Sequence, residues 1–224
     1  MAALGSVTEV QITGRAGVPG DAGAVVLNVT VTEPAGAGYV TVFPCGSAVP
    51  NASSLNYVTG ATVPNNVIGK IGDGGKVCVF TSQAAHLIVD VSGYFKAGSA
   101  FNPLVPARVL ETRQGQVTID GLGQGAGLQA ANSIVETQIT GRAGVPAGAV
   151  AAVLNVTVTE AVGPGYVTVW PCGTDRPTAS SLNFDTGSTV ANGVIAKIGA
   201  GGKVCLYVSN GTHLITDIAG YFNG

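Results

Sequence analysis

An internal repeat constrains the fold of this chain more than any other feature of its sequence. Residues 6–95 align without a gap with residues 133–222, so each position has a counterpart 127 positions later (133 − 6), and most of the paired residues are identical. The stretch AVVLNVTVTEPAGAGYVTVFPCG, for example, reappears as AAVLNVTVTEAVGPGYVTVWPCG. A copy of that length is a complete structural unit and not one coil of a solenoid. We therefore predict two domains: residues 1–97 form the first, and residues 98–224 form the second, including an extra leading segment at 101–120.

Within each copy the sequence pattern is that of β-strands. Residues 27–32 alternate aliphatic side chains with Asn and Thr, and the alternation continues over 39–43 beyond a Gly-rich turn. A period of two is typical of a half-buried strand, so we predict that these two strands pair as a hairpin. The low charged fraction, 10%, and the 34 glycines also favour β-structure. Because about seven such strands per copy are separated by Gly, Pro and Asn turns, the sequence predicts an all-β fold of two tandem β-sandwich (jelly-roll-like) repeats.

The four cysteines occur at the same spacing in both copies. Cys45 and Cys78 are 33 positions apart, as are Cys172 and Cys205. A unit that is duplicated as a unit keeps its own bridge, so we predict the disulfides Cys45–Cys78 and Cys172–Cys205. A zinc site is the competing interpretation, but the C-x₂-C spacing and the paired histidines of such sites are absent. Disulfides in turn imply an exported protein in an oxidising, extracellular or cell-surface location.

Charge and hydropathy exclude two classes of partner. The formal net charge of −2 is too small to attract nucleic acid or an anionic membrane over a distance. No apolar run approaches the roughly 18–20 residues that a membrane-spanning helix needs. The first residues, MAALGSVTEV, have neither the basic nor the apolar region of a signal peptide. We therefore expect no nucleic-acid partner and no membrane insertion.

Several motifs together resemble a known group of repeats. They are FNPLVPARVLETR at 101–113, GRAGVP, LNVTVT, GYVTVFPCG, SSLN, GGKVC and HLIVDVSGYF. This combination covers nearly the whole chain and resembles the repeats of exported actinobacterial proteins, which stand in tandem or at the C-terminus as accessory units, often beside hydrolase domains. The resemblance implies secretion and a non-catalytic role, and it leaves the ligand open. Glu111 stands where that pattern has Asp, a mild departure.

No group of residues in the sequence predicts catalysis. His86 and His213, the only histidines, each precede an aspartate by four positions (Asp90 and Asp217). On a strand that spacing corresponds to ~13 Å, which is too far for a catalytic hydrogen bond. A serine in a strained G-x-S-x-G turn, carboxylates paired at glycosidase spacing and a calcium loop are also absent. We therefore predict that the protein is not an enzyme and uses no metal or cofactor.

The strand face that points away from the aliphatic side carries aromatic, hydroxyl and amide groups. Aromatic rings stack on the apolar faces of sugars, and hydroxyl and amide neighbours hydrogen-bond to their edges. We therefore interpret this face as a binding surface for a polysaccharide or a cell-surface glycan. Its predicted residues are Asn28, Thr30, Tyr39, Thr41 and Phe43 in the first copy and Asn155, Thr157, Tyr166, Thr168 and Trp170 in the second.

The alternative function is a structural repeat, such as a stalk, a spacer or the subunit of an extracellular filament. Thr and aromatic residues are good cross-strand pairs on any outer sheet face, whether or not a ligand binds there. Exposure of the aromatic rings distinguishes the two interpretations. A binding module keeps Tyr39, Phe43, Tyr166 and Trp170 open to solvent in a groove, whereas a spacer buries them.

The extra segment at 101–120 has no counterpart before the first copy. The first unit is therefore expected to expose a sheet edge, which proteins usually cover. We expect Phe101–Arg113 to cover it, either by crossing back within the chain or by self-association through strand addition between molecules. Four single charges in low-charge surroundings are interpreted as salt-bridge partners of Asp90 or Glu33; they are Lys70, Lys197, Arg15 and Arg142.

Overall fold

The computed structural model describes all 224 residues and divides the chain into two compact units, Met1–Pro106 and Ala107–Gly224. Fifteen β-strands make up the regular structure, together with the single 3₁₀ turns Asp73–Gly75 and Ala200–Gly202. No helix has the length and apolar character of a membrane-spanning segment. The boundary between the compact units falls inside strand β8 (Phe101–Glu111), whose hydrogen bonds join it to a sheet of the second unit.

The first unit is a sandwich of a four-stranded sheet and a three-stranded sheet, with the strand orders β1-β6-β3-β4 and β5-β2-β7. Aliphatic side chains from both sheets form one core, in which Leu27, Val29 and Val31 of β2 pack with Val40 and Val42 of β3. These residues are fully buried because the period-two alternation directs them all to the inner side. The strands are β1 (Ser6–Gln11), β2 (Ala22–Thr32), β3 (Gly38–Pro44), β4 (Leu55–Tyr57), β5 (Val63–Lys70), β6 (Lys76–Thr81) and β7 (His86–Lys96).

The second unit repeats this arrangement and adds one strand. Its sheets have the orders β12-β11-β14-β9 and β13-β10-β15-β8, so the sheet that has three strands in the first unit has four here. The predicted all-β fold of two tandem β-sandwich repeats is confirmed. Besides β8, the strands are β9 (Ser133–Gln138), β10 (Ala149–Thr159), β11 (Gly165–Pro171), β12 (Leu182–Phe184), β13 (Val190–Lys197), β14 (Lys203–Val208) and β15 (His213–Asn223).

The predicted hairpin between the two most regular strands is wrong. β2 pairs with β5 and β7, whereas β3 pairs with β4 and β6 in the opposite sheet. The chain leaves β2 through Glu33, which adopts a left-handed φ of 52°, and Glu160 has the same role after β10 with a φ of 55°. The connection therefore crosses from one sheet to the other instead of folding the chain back within a sheet.

The sequence predicts that the segment containing β8 covers the open edge of the first unit. In the structure, β8 does not cover that edge. It is hydrogen-bonded to β15 and completes the second unit's own sheet, so β7 keeps β2 as its one strand neighbour. Phe101, at the start of β8, belongs to the first compact unit, and its ring centroid lies 4.7 Å from that of Phe95 in the same unit. The intramolecular form of the prediction is therefore wrong.

Both predicted disulfides are present. Cys45 is bonded to Cys78 and Cys172 to Cys205, with Cα–Cα distances of 4.9 and 5.1 Å. Each bridge ties the residue just after β3 or β11 to the neighbouring strand β6 or β14. Closing a loop of 33 residues stabilises each unit by about 3–4 kcal/mol in the chain-entropy model.

Candidate binding site

The residues predicted to form one binding surface lie on two different faces. Asn28 and Thr30 are on β2, in the three-stranded sheet, whereas Tyr39, Thr41 and Phe43 are on β3, in the four-stranded sheet. Since the two sheets pack through their aliphatic sides, their outer faces point in opposite directions. The same division separates Asn155 and Thr157 on β10 from the predicted residues on β11 in the second unit.

The two aromatic side chains nearest the disulfides are covered. Phe43 is 2% exposed and packs on the Cys45–Cys78 bridge with Phe80. Trp170 is 5% exposed, packs on the equivalent bridge and donates its indole N–H to the carbonyl oxygen of Thr174 at 3.2 Å. These rings therefore shield the disulfides, and neither of them presents a face for stacking on a ligand.

Several of the predicted polar residues are also occupied or buried. The hydroxyls of Thr41 and Thr168 are donated to the carbonyl oxygens of Ala52 and Ala179, each at 2.6 Å, which fastens the segment that follows each disulfide corner. Thr157 is fully buried, and its hydroxyl has no hydrogen-bond partner.

The remaining predicted residues are more accessible. Asn28, Thr30, Asn155 and Tyr166 are half-buried, and Tyr39 is exposed. The amide of Asn28 donates to the hydroxyl of Thr30 at 3.4 Å.

The second unit has a groove on the outer face of its β11 sheet. Its volume is ≈ 350 Å³, and its walls come from β11, from the segment after the disulfide corner and from β12. Two of the sequence-predicted residues, Tyr166 and Thr168, are brought together here. The lining residues are Tyr166, Thr168, Arg176, Pro177, Thr178, Ala179, Ser180 and Asn183.

An arginine and two tyrosines organise one side of this groove. The guanidinium carbon of Arg176 lies 3.6 Å from the centre of the Tyr207 ring, close enough for a cation–π interaction. The Tyr207 ring in turn lies 5.8 Å from that of Tyr166, and its hydroxyl donates to Asn132 at 2.6 Å. A guanidinium that contacts a ring in this way still has its N–H groups to donate to a ligand.

Hydrogen bonding also orients the polar wall of the groove. The hydroxyl of Ser180 donates to the side-chain oxygen of Asn183 at 2.8 Å. The amide NH₂ of Asn183 remains available as a donor. The groove therefore combines an aromatic surface, a fixed cation and an amide donor within one small depression.

The first unit lacks the arginine and the second tyrosine of this groove, although the sheet that carries them has the same strand order in both units. Val49 stands at the position of Arg176, and Phe80 at that of Tyr207. Sequence reasoning missed both Arg176 and Tyr207, because it searched for what the two copies share. The signal that could have identified them is the set of positions at which the copies differ.

The histidines face glutamates and not the aspartates of their own strands. Nε2 of His86 lies 3.8 Å from Glu33, and Nε2 of His213 lies 3.9 Å from Glu160. Nowhere do three or more His, Cys, Asp or Glu side chains gather in a way that could hold a metal ion.

A buried charge network lies at β8 of the second unit. Arg108 donates to both carboxylate oxygens of Asp217, at 2.9 and 3.2 Å, and to Glu111 at 3.1 Å. Burial alone lowers the pKa of Arg108, but the charge of Asp217 and its hydrogen bonds outweigh that effect and hold the pKa above its ordinary value. Arg113 reaches Glu111 from the other side at 2.8 Å.

Arg142 contacts the segment that follows β8. Its ion-pair partner is not one of the acids predicted from the sequence. Its guanidinium donates to Asp120 at 2.6 and 2.7 Å, so it pairs neither with Asp90 nor with Glu33. The hydrogen bond from Arg142 lowers the pKa of Asp120 below its ordinary value.

Comparison with known proteins adds little. No family model matches the chain, and no curated protein matches it. Among solved structures the chain is similar to the N-terminal CBM22-1-CBM22-2 tandem domain from Paenibacillus barcinonensis Xyn10C, with 10% sequence identity and a TM-score of 0.25. The alignment covers 89% of this chain and 79% of that one. At such a score the likeness carries no argument about function.

Proposed function

We propose that the protein is a non-catalytic binding module for a polysaccharide or glycan, and that its site is the groove of the second unit. The observation that carries this proposal is the arrangement of Arg176 on Tyr207 beside Tyr166 and the Ser180–Asn183 pair. A sugar ring has apolar C–H faces that stack on aromatic side chains and hydroxyl edges that need fixed polar partners. The groove supplies both kinds of contact.

The fixed guanidinium makes acidic sugars the best match. Arg pairs bidentately with a carboxylate or a sulfate, and a guanidinium that is already held on a ring loses little entropy when it binds. Because the net charge of the protein is −2, this attraction is local to the groove and does not come from the protein as a whole. We therefore expect uronic-acid-containing polymers to bind more tightly than neutral ones.

An extracellular location accompanies this proposal. Two disulfides in a chain of this size are typical of oxidising compartments. A module that binds polysaccharide outside the cell is also consistent with the resemblance to repeats of exported proteins.

The second candidate function is a structural repeat, and one observation favours it for the first unit. There Phe43 is buried on the disulfide, and Val49 replaces the arginine of the groove. In the first unit Phe43 therefore serves packing, and no charged group stands at the position of Arg176. In this interpretation it serves as a spacer that carries no ligand.

The test is affinity measurement on immobilised polysaccharides, comparing neutral glucan, chitin and uronic-acid polymers. Arg176→Val introduces the residue that the first unit has at this position, and we expect it to weaken binding at least about tenfold. Arg15→Val is the matched control, since it removes an exposed arginine from the first unit and leaves the groove intact. If no polysaccharide binds, the structural alternative is favoured. Equal binding by Arg176→Val would show that the groove is not the site.

A further inference from the structure

The two units share their sequence but differ at one sheet edge. In the second unit β15 is hydrogen-bonded on both sides, to β10 and to β8. In the first unit its counterpart β7 is hydrogen-bonded to β2 and has no strand on its other side. The backbone N–H and C=O groups along that side of β7 are a template for one further strand.

The second unit shows what such a strand supplies. The guanidinium of Arg108, on β8, forms a bidentate pair with Asp217 of β15 at 2.9 and 3.2 Å. Just beyond β8, the backbone N–H of Thr112 donates to the carbonyl oxygen of Leu214 at 3.0 Å, and its hydroxyl lies 3.0 Å from Nδ1 of His213. One end of the added segment is therefore fixed by charge and by backbone pairing together.

A second contact fixes the continuation of that segment. Arg142, in the GRAGVP loop, donates to Asp120 at 2.6 and 2.7 Å and to the carbonyl oxygens of Val109 and Leu122 at 2.7 and 2.8 Å. The side chain of Arg142 is buried by these contacts. The added segment therefore carries an arginine, Arg108, and twelve positions later an acid, Asp120. Arg108 pairs with an acid of the repeat, and Asp120 pairs with an arginine of the repeat.

The first unit keeps both receiving groups, and both are unoccupied. Asp90 stands at the position of Asp217, and Arg15 at that of Arg142. Both residues are exposed, and neither side chain forms an ion pair or a hydrogen bond. His86, the counterpart of His213, is exposed as well.

The side chains of β7 alternate between an exposed face and a half-buried face. The exposed face carries two large apolar side chains, Ile88 and Tyr94, which are 47% and 40% exposed, on either side of Asp90. An unpaired edge with apolar side chains and one acid binds an extended peptide through main-chain hydrogen bonds, while the acid selects its sequence.

We propose that the first unit is an acceptor for a strand from a partner polypeptide. The strand has the pattern Ala-Arg-x-Leu-Glu-Thr-Arg, with an acidic residue twelve positions after the first arginine. Its arginine pairs with Asp90, and its acid pairs with Arg15. The partner is a polypeptide whose copy of this segment is not already paired within its own sheet.

A second copy of this chain is a poor donor by the same reasoning. To donate β8 it must withdraw Arg108 from Asp217, which is 2% exposed, and give up the pairing of β8 with β15. Separating a buried ion pair is strongly unfavourable. The proposal concerns a different surface from the glycan groove and does not depend on it.

The experiment is calorimetric titration of the full chain with a synthetic peptide of residues 101–124. We expect one peptide to bind per chain, and we expect Asp90→Asn, or replacement of the peptide's Arg108 by Gln, to weaken binding at least about tenfold. Glu9→Gln is the matched control, because Glu9 is an exposed acid on β1 in the other sheet. It should leave the affinity unchanged.

Amide hydrogen exchange locates the bound peptide. We expect new protection along His86–Lys96 when the peptide is present. Absence of binding, equal binding by Asp90→Asn, or protection confined to β15 would each overturn the proposal. So would a concentration-dependent dimer that forms without peptide and is lost in Asp90→Asn, since a second copy would then be the donor.

Discussion

Replacing Arg108 by Met should destabilise the second unit far more than the loss of an ordinary salt bridge. Asp217 and Glu111 are almost completely buried beside it, so removing the guanidinium leaves negative charge away from water. Breaking a buried pair in this way costs about 3–5 kcal/mol. Glu111 still accepts two bonds from Arg113, at 2.8 and 2.9 Å, whereas Asp217 loses both of its guanidinium bonds. We therefore expect a loss nearer the lower end, about 3 kcal/mol.

The chain offers a selective assay for this effect. Trp170 is the only tryptophan and lies in the second unit, so its fluorescence during denaturant unfolding reports that unit separately. Lys203→Met is the matched control, because its pair with Glu136 is solvent-exposed and contributes at most about 1 kcal/mol. The double variant Arg108→Met/Asp217→Leu should recover most of the lost stability, since it removes the stranded charge.

Two results would refute this reasoning. If Arg108→Met costs no more than Lys203→Met, the buried pair behaves like a surface pair. If the double variant is as unstable as the single one, the cost comes from lost packing and not from the charge of Asp217 that has lost its guanidinium partner.

Three further predictions concern the disulfides, the buried ring and the pH response. Reducing both disulfides should lower the free energy of unfolding of each unit by about 3–4 kcal/mol, measured by denaturant titration with and without reductant; an unchanged midpoint would contradict the loop-closure argument. Trp170→Ala should destabilise the second unit by about 3 kcal/mol, followed by circular dichroism, because it empties a packed site on the disulfide; an unaltered stability would mean that the ring is not structural. The carboxylate of Asp120 has a lowered pKa in the folded state, so it stabilises the second unit above its unfolded-state pKa and ceases to do so as the pH falls through the folded-state value. Asp120→Asn should therefore reduce the loss of melting temperature below about pH 4, and an identical pH profile would argue against this contribution.

The architecture was predictable because it depends on local periodicity and on duplication. Alternation over residues 27–32 identifies which side chains are buried, and the common offset of the cysteines identifies the bridges. Alternation does not identify the partner of a strand, however. β2 and β3 have the same period as a hairpin, yet the left-handed turn at Glu33 carries the chain to the opposite sheet.

The candidate site was less predictable, because an outward direction on a strand does not mean exposure. Phe43 and Trp170 do point away from the core, but each is covered on its disulfide. Loops cover the outer face of a sheet, and the alternation of residues along a strand does not predict the path of a loop. Arg176 and Tyr207 were overlooked for a related reason: each is one residue in a loop or strand, and only its contact with the other makes it significant.

Strand β7 has one strand neighbour, whereas its counterpart β15 has two. This difference determines how many strands the molecule can accept at these positions. In the first unit no strand lies on the side of β7 that faces away from β2, and β8, which fills the equivalent place in the second unit, is already paired there with β15. Growth into a fibre requires complementary vacant surfaces on the same molecule, so that each addition creates the next site. Addition of a strand at β7 fills the one place of this kind among residues 1–224. Association at this edge therefore has a one-to-one stoichiometry, which is a different outcome from the growth of a fibre.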